Sequence, residues 1–256
     1  MAKLTDTVHS PESVTVLYCP DFEVGGTSEA PVVHKDHIQI MESIVIHWTS
    51  QIKEVVNSND SSADMETSGP LEEIEFWNGR AKDLLGLSEQ LSQPNVEKIV
   101  NVLQHNKSNY IGPFRLLTEQ IVTKAAQAND NLKYLESIRE QCTALHTVEA
   151  PMIASVLPEL INRIRLIWSF SKYYQDNESM TSLLRKISNE IIQRFRAYIP
   201  IREILDGNVE LAISRLEEAI DCGAQWKNLY HKTLHNINRQ KGRYGGLTWK
   251  IETASV

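Results

Sequence analysis

From His34 onward this 256-residue chain repeats one pattern. Apolar side chains return every third or fourth position, and strand-type alternation is absent past residue 33. Ile38, Met41, Val45, Trp48, Ile52 and Val55 illustrate it, falling on one face of a helix from about residue 34 to 56. A period near 3.6 fits a backbone that closes its own hydrogen bonds and presents one apolar stripe. Each stripe must be covered by another, so the pattern restricts the chain to an all-α fold of stacked antiparallel bundles. No fixed-period repeat is visible, which separates it from the regular solenoids.

The breaks between stripes set the organisation. Residues 1–33 carry Pro11, Pro20, Gly25, Gly26 and Pro31 around a short β-prone run, Val14 to Tyr18, and read as an irregular leader. A helical region follows over 34–240, with a mobile loop at about 57–69, where Asn, Ser and Asp dominate. Gly69 and Pro70 then open a second helix, with Gly69 as N-cap and Pro70 at the first helical position. Glu72 and Glu73 fall in its first turn, at the positive end of the helix dipole. Its inner face is read as Ile74, Trp77, Ala81, Leu84 and Leu85, ending near Leu91.

Pro94 starts a third helix, with Val96, Ile99, Val100 and Leu103 inward. Gly112-Pro113 reads as a break, followed by an amphipathic segment bearing Phe114, Leu117 and Ile121, then a separate helix over about 129–145. Pro151 opens a helix that buries Ile153, Leu157, Leu160, Ile161, Ile164, Ile167 and Trp168. Pro158 either kinks that helix or marks its true first turn. Asn177 is read as the cap of the next, and Pro200 as its end. Residues 209–220 and about 223–237 form a last pair, and 241–256, with Gly242, Gly245 and Gly246, a flexible tail.

Composition removes several functions. A net charge of -7 argues against nucleic acid, since phosphate binding needs a basic face. Cys19, Cys142 and Cys222 form neither a disulfide framework nor a metal-ligand spacing, so reduced thiols in a cytosolic setting are expected. The first residues lack the apolar run of a signal peptide, and no apolar stretch is long enough for a bilayer.

Chemistry-bearing residues read as structural. His231 and His235 lie one helical turn apart, a spacing that can bind zinc. Lys232, however, stands where a zincin has its general-base Glu, and no third ligand is near, so two surface or half-buried histidines are expected. His34, Asp36 and His37 sit at a helix start, where Asp36 serves the dipole. Gly25-Gly26-Thr27 and Gly245-Gly246-Leu247-Thr248 lack the ending of a phosphate-binding loop, and no Gly-x-Ser-x-Gly elbow occurs. Glu72, Glu73 and Glu75 read as a solvated acidic face rather than an acid–base pair. Arg163, Arg165, Lys172, Arg185, Lys186, Arg194 and Arg196 read as a solvated basic face. Trp48 and Trp168 are assigned to the core. Trp77, beside the loop, is taken as a candidate partner contact, together with Trp226 and Tyr230 near Leu229.

Certain wordings exceed what helix physics requires. Gly69-Pro70-Leu71-Glu72-Glu73-Ile74-Glu75-Phe76-Trp77 follows Ile46-His47-Trp48-Thr49-Ser50-Gln51-Ile52-Lys53-Glu54-Val55. Asp130-Asn131-Leu132-Lys133-Tyr134-Leu135, Ile164-Arg165-Leu166-Ile167-Trp168, Leu183 to Ile192 and Trp226-Lys227-Asn228-Leu229-Tyr230-His231 come after, in that order. Together they resemble the N-terminal tail of dynein heavy chains, the axonemal ones in particular, from about Asp21 to Arg239.

The resemblance implies an elongated stack of helical bundles that serves as a non-catalytic scaffold, without a cofactor. In that family the nucleotide sites belong to a motor ring far C-terminal of the tail, so the chain is read as a fragment or short isoform lacking the motor. The implied partners are dynein heavy, intermediate and light chains, with neither nucleic acid nor membrane, and with microtubules reached only through the complex. The implied setting is the cytoskeleton and the axoneme of a cilium or flagellum. A stand-alone helical adaptor or tethering scaffold is the alternative, and a small metallohydrolase using His231 and His235 a third reading.

Overall fold

A computed structural model of the chain describes residues 35–57, 68–199, 207 and 209–244, with side chains in the last stretch through 233 and at 235. Its elements are α1 (Lys35–Asn57), α2 (Pro70–Leu91), α3 (Pro94–His105), α4 (Ile111–Thr147), a 3-10 turn (Ala150–Met152), α5 (Ile153–Phe170), α6 (Asn177–Tyr198) and α7 (Val209–Tyr244). There is no strand among the described residues, and the all-α expectation holds. The leader expected over 1–33, most of the loop expected over 57–69, and residues 245–256 of the expected tail lie outside the described residues.

Two pairs of expected helices are single helices. Gly112 and Pro113 do not break the chain; they lie in the first turn of α4. The first four N–H groups of a helix have no partner inside it, so the missing N–H of Pro113 costs nothing there. The apolar stripe continues through Ala125 and Ala128, both buried, where bulky side chains are lacking. Alanine is the best helix former, so the segment that looked like a gap sustains the helix well. In α7, Gly223 likewise sits inside one continuous helix, which runs through residues 241–244 of the expected tail. A glycine there costs about 1 kcal/mol relative to alanine, which the rest of the helix absorbs.

Three smaller corrections have local causes. Asp176, not Asn177, caps α6: its Oδ2 accepts from the Glu178 and Ser179 backbone N–H groups at 3.1 and 3.0 Å. Leu85 is exposed and Leu87 takes the buried place on α2. Pro151 lies in the 3-10 turn, and Pro158 sits within α5 with the helix continuous around it. Pro158 faces solvent, so the Ala154 carbonyl that loses its donor lies on the wetter side.

The chain divides into two compact units, residues 1–60 with 77–129 and residues 61–76 with 130–256. In the first, α1 packs against α3. Trp48 is fully buried, with its ring 6.0 Å from that of Phe114. The Lys124 ammonium donates to the Val56 carbonyl at 2.9 Å, satisfying an orphan acceptor at the end of α1. Lys107, with φ at 52°, turns the chain between α3 and α4. In the second unit, α5 packs along α7, and the buried stripe of α5 is the one expected, from Ile153 to Trp168.

Candidate functional site

The start of α2 is held by a cluster of polar contacts in the second unit. Gly69 donates its backbone N–H to Glu72 Oε2 at 2.9 Å, a side chain reaching back to cap its own helix. Gly69 is buried, and a Cβ there would stand 2.8 Å from both Glu190 Oε2 and Glu72 Oε2. A side chain there would have to push these carboxylates aside. Asn189 of α6 donates to the Ser68 carbonyl at 3.2 Å, tying the entry of α2 to the same helix.

Glu73 and Lys186 overturn the expected solvated faces. Glu73 is 5% exposed and Lys186 is 1% exposed. The Lys186 ammonium donates to Glu73 Oε2, and the Tyr174 hydroxyl donates to Glu73 Oε1 at 2.8 Å. Glu73 falls four residues before Trp77 and beside Ile74, so it lies on the buried side of α2. Lys186 lies between Leu183 and Ile187 on the buried side of α6. A buried charge is tolerated only when paired and hydrogen-bonded, and both conditions are met here. Arg194 is also drawn inward, donating to the Val148 carbonyl.

Glu75 does face solvent, as expected, but it is bound. Arg139 bridges Glu75 at 2.6 Å and Glu136 at 2.7 Å. The hydrogen bond from Arg139 holds the Glu136 carboxyl below its usual range, and the two carboxylates raise the Arg139 guanidinium further. His146, in the last turn of α4, places Nδ1 2.8 Å from Glu190 Oε1. The acids Glu72, Glu73, Glu75 and Glu190 thus each have a structural partner.

The candidate contact residues separate. Trp77 is 3% exposed and lies on the buried stripe shared with Ala81 and Leu84, which withdraws it as a contact. Trp226 is half-buried and turned toward α6, with its indole N–H donating to Ser188 Oγ at 3.3 Å. Tyr230 is half-buried too, set edge-on to His231 at 5.5 Å, and burial pushes its hydroxyl up to about 12. His231 and His235 are exposed. No three His, Cys, Asp or Glu side chains gather as a metal-holding group among the described residues. Burial pushes the Cys142 thiol up to about 12, helped by the nearby Glu190 charge, which makes it a poor nucleophile at neutral pH. No helix of the described residues is long and apolar enough to cross a membrane.

Sequence reasoning missed an apolar groove of about 320 Å³ between α6 and α7, floored by Ile191, Phe195 and Ala219. Its signal was available: Ile192 and Ile199 sit seven residues apart beside the core stripe of α6.

Comparison with known proteins gives a consistent answer. The family described as "Dynein heavy chain, N-terminal region 1" matches residues 38–256. The dynein-1-beta heavy chain of the flagellar inner arm I1 complex from Chlamydomonas reinhardtii is 40% identical over 256 residues, 100% of this chain and 6% of that relative. Dynein axonemal heavy chain 2 of Mus musculus is 42% identical over 187 residues, 73% of this chain and 4% of the relative. The dynein beta chain of the flagellar outer arm of Chlamydomonas reinhardtii is 30% identical over 200 residues, 77% of this chain and 4% of the relative. The chain therefore spans only a small share of the length of the relatives it matches.

Proposed function

The chain belongs to the dynein heavy chain family, through its N-terminal region 1, and we propose that it acts as a non-catalytic tail segment in assembling an axonemal dynein. The observation that carries this reading is the match to that N-terminal region, with 40% identity across the whole chain to a flagellar inner-arm heavy chain. The geometry supports it. The side chains able to do chemistry near α2 are used in caps and ion pairs, while apolar side chains stand on the surface of α7.

In this reading the segment joins heavy chains to one another and to intermediate and light chains, and helps anchor the complex to the outer doublet. Its place is the axoneme of a cilium or flagellum. It takes no part in ATP hydrolysis and reaches microtubules only through the complex. Trp226 and Tyr230, each part-exposed on α7, are its candidate contacts. The test is co-precipitation of the tagged chain with axonemal intermediate chains and a second heavy-chain tail. Recovery of both is expected. Recovery of neither, from protein whose circular dichroism is helical and whose unfolding is cooperative, contradicts the reading.

A further inference from the structure

The last helix carries two faces, and only one is used within the second unit. Its inner face presents Ala212 and Cys222, both buried, with Arg215 and Ala219 between them and Trp226 one turn beyond. That face is tied to α6. The Arg215 guanidinium lies 5.0 Å from the Tyr198 ring and donates to the Tyr198 carbonyl at 3.3 Å. The Tyr198 hydroxyl donates to Glu218 at 2.9 Å, and Trp226 reaches Ser188.

The outer face is hydrocarbon in water. Val209, Ile213, Leu216 and Ile220 follow at steps of four, three and four, which aligns them in one stripe over three turns. They are 65%, 50%, 43% and 68% exposed. Beside the stripe lies the apolar groove shared with α6, where Ile192 is also exposed and Arg196 stands on the far rim. On the stripe's other flank, Glu210, Glu217 and Asp221 are exposed and aligned at steps of seven and four. No Lys or Arg shares that flank between residues 209 and 226. A contiguous apolar strip with a charged border is the mark of a protein interaction site.

We propose that this face receives an amphipathic helix of a protein partner, apolar toward the stripe and groove and lined with Lys or Arg along the flank that meets Glu217 and Asp221. A helix fits because the stripe repeats at the helical period for three turns, the length over which ridges pack into grooves. The charge of the border selects the partner. Residues 1–34 of this chain carry Lys3 against Asp6, Glu12, Asp21, Glu23 and Glu29, so they meet the acidic flank with like charge. A second copy fits poorly in either direction. Laid parallel, it sets Lys227, which continues the stripe's line on α7, against its own copy. Laid antiparallel, it sets acidic flank beside acidic flank and places Lys227 and His231 against hydrocarbon.

This inference deepens the assembly reading and rests on it for the presence of a protein partner. The two fail separately, because the assay below uses no axonemal component. Two labelled three-heptad peptides, identical along an apolar a/d face but with either Lys or Glu on one flank, are titrated with the full chain at concentrations where each peptide is monomeric, and anisotropy is read. The Lys peptide is expected to bind at least ten-fold tighter at low salt, with the preference fading as salt rises. Replacing Glu217→Lys together with Asp221→Lys should reverse the preference. Ile213→Asp with Ile220→Asp should abolish binding while leaving the circular dichroism spectrum unchanged. Equal affinity for the two peptides overturns the proposal. So does binding that survives the Ile213 and Ile220 changes, or a chain that sediments as a dimer and becomes monomeric on those changes, which assigns the face to a second copy.

Discussion

At the start of α2 a full ion pair, Glu73 with Lys186, is closed away from water, while along α7 Val209, Ile213, Leu216 and Ile220 are left in it. Both regions belong to the same unit, and both invert the usual placement of charge and hydrocarbon. Their neighbours distinguish them. The buried charges have each other and the Tyr174 hydroxyl, so they are satisfied where they stand. The exposed hydrocarbon has a groove on one side and acids on the other, but nothing in the chain's described residues covers it. An inverted residue with partners is architecture. One without them, among the described residues, is hydrocarbon left in water.

The largest effect should come from breaking the buried pair. Lys186→Ala leaves the Glu73 carboxylate closed in without its cation, and should cost about 3–5 kcal/mol in chemical denaturation. Glu73→Leu with Lys186→Met, which removes both charges, should return close to the original stability. A single variant within a few tenths of a kilocalorie of the parent breaks the comparison, because the pair would then be behaving as a solvated one.

Gly69→Ala comes next. The added Cβ meets Glu190 Oε2 and Glu72 Oε2, each held elsewhere by His146 and by the Gly69 N–H. Overpacking of this kind should cost about 1–3 kcal/mol, read as a lower denaturation midpoint.

A pH titration sharpens the inner side. The folded Cys142 thiol is raised to about 12 by burial, whereas the unfolded thiol ionises near about 8.5. Its contribution is therefore complete below the unfolded value and is lost as pH rises toward the folded one. Stability should fall by about 1 kcal/mol for the first full unit above that lower value, and Cys142→Ala should flatten this part of the profile.

The smallest effect belongs to the outer face. Ile220→Ser should change stability by less than about 0.5 kcal/mol, while Ile187→Ser, at a fully buried position of α6, should be strongly destabilising. Similar losses at the two sites would place the α7 stripe in the core and erase the contrast.

Much of this fold was legible in the sequence. The bounds of α2 follow from Pro70 and the end of its stripe at Leu91, and Pro94 sets α3. The all-α class and the buried face of α5 follow from periodicity alone. The continuity of α4 and α7 was hidden because Ala125, Ala128 and Gly223 contribute little to an apolar count yet do not stop a helix. The cap of α6 lay one residue earlier than read because Asp176 and Asn177 are both good caps, and only geometry chooses between them.

The polar site was less legible. Glu73 looked explained by the helix dipole, and its partner lies 113 residues away. The usable signal was its place on the same stripe as Trp77, and that of Lys186 beside Leu183 and Ile187. Trp77 was misjudged for a related reason: its neighbour in sequence is a loop, but its direction is set by the helix. The outer stripe of α7 escaped because its bulky residues look like a core face, while the true inner face uses Ala212, Ala219 and Cys222. The motif wording carried the family resemblance without help from any of these contacts, and the family match bears it out.

The central claim is that the chain works as an assembling tail segment, by surface and not by chemistry. Sedimentation of detergent-free axonemal extract from flagellated cells expressing the tagged chain tests it most directly. The account predicts that the tag migrates with dynein heavy and intermediate chains in the fast fractions, and is partly displaced from them by Ile213→Asp with Ile220→Asp. A tag that stays in the slow fractions of a free 29.1 kDa protein, although the chain is folded and present in the cilium, contradicts it.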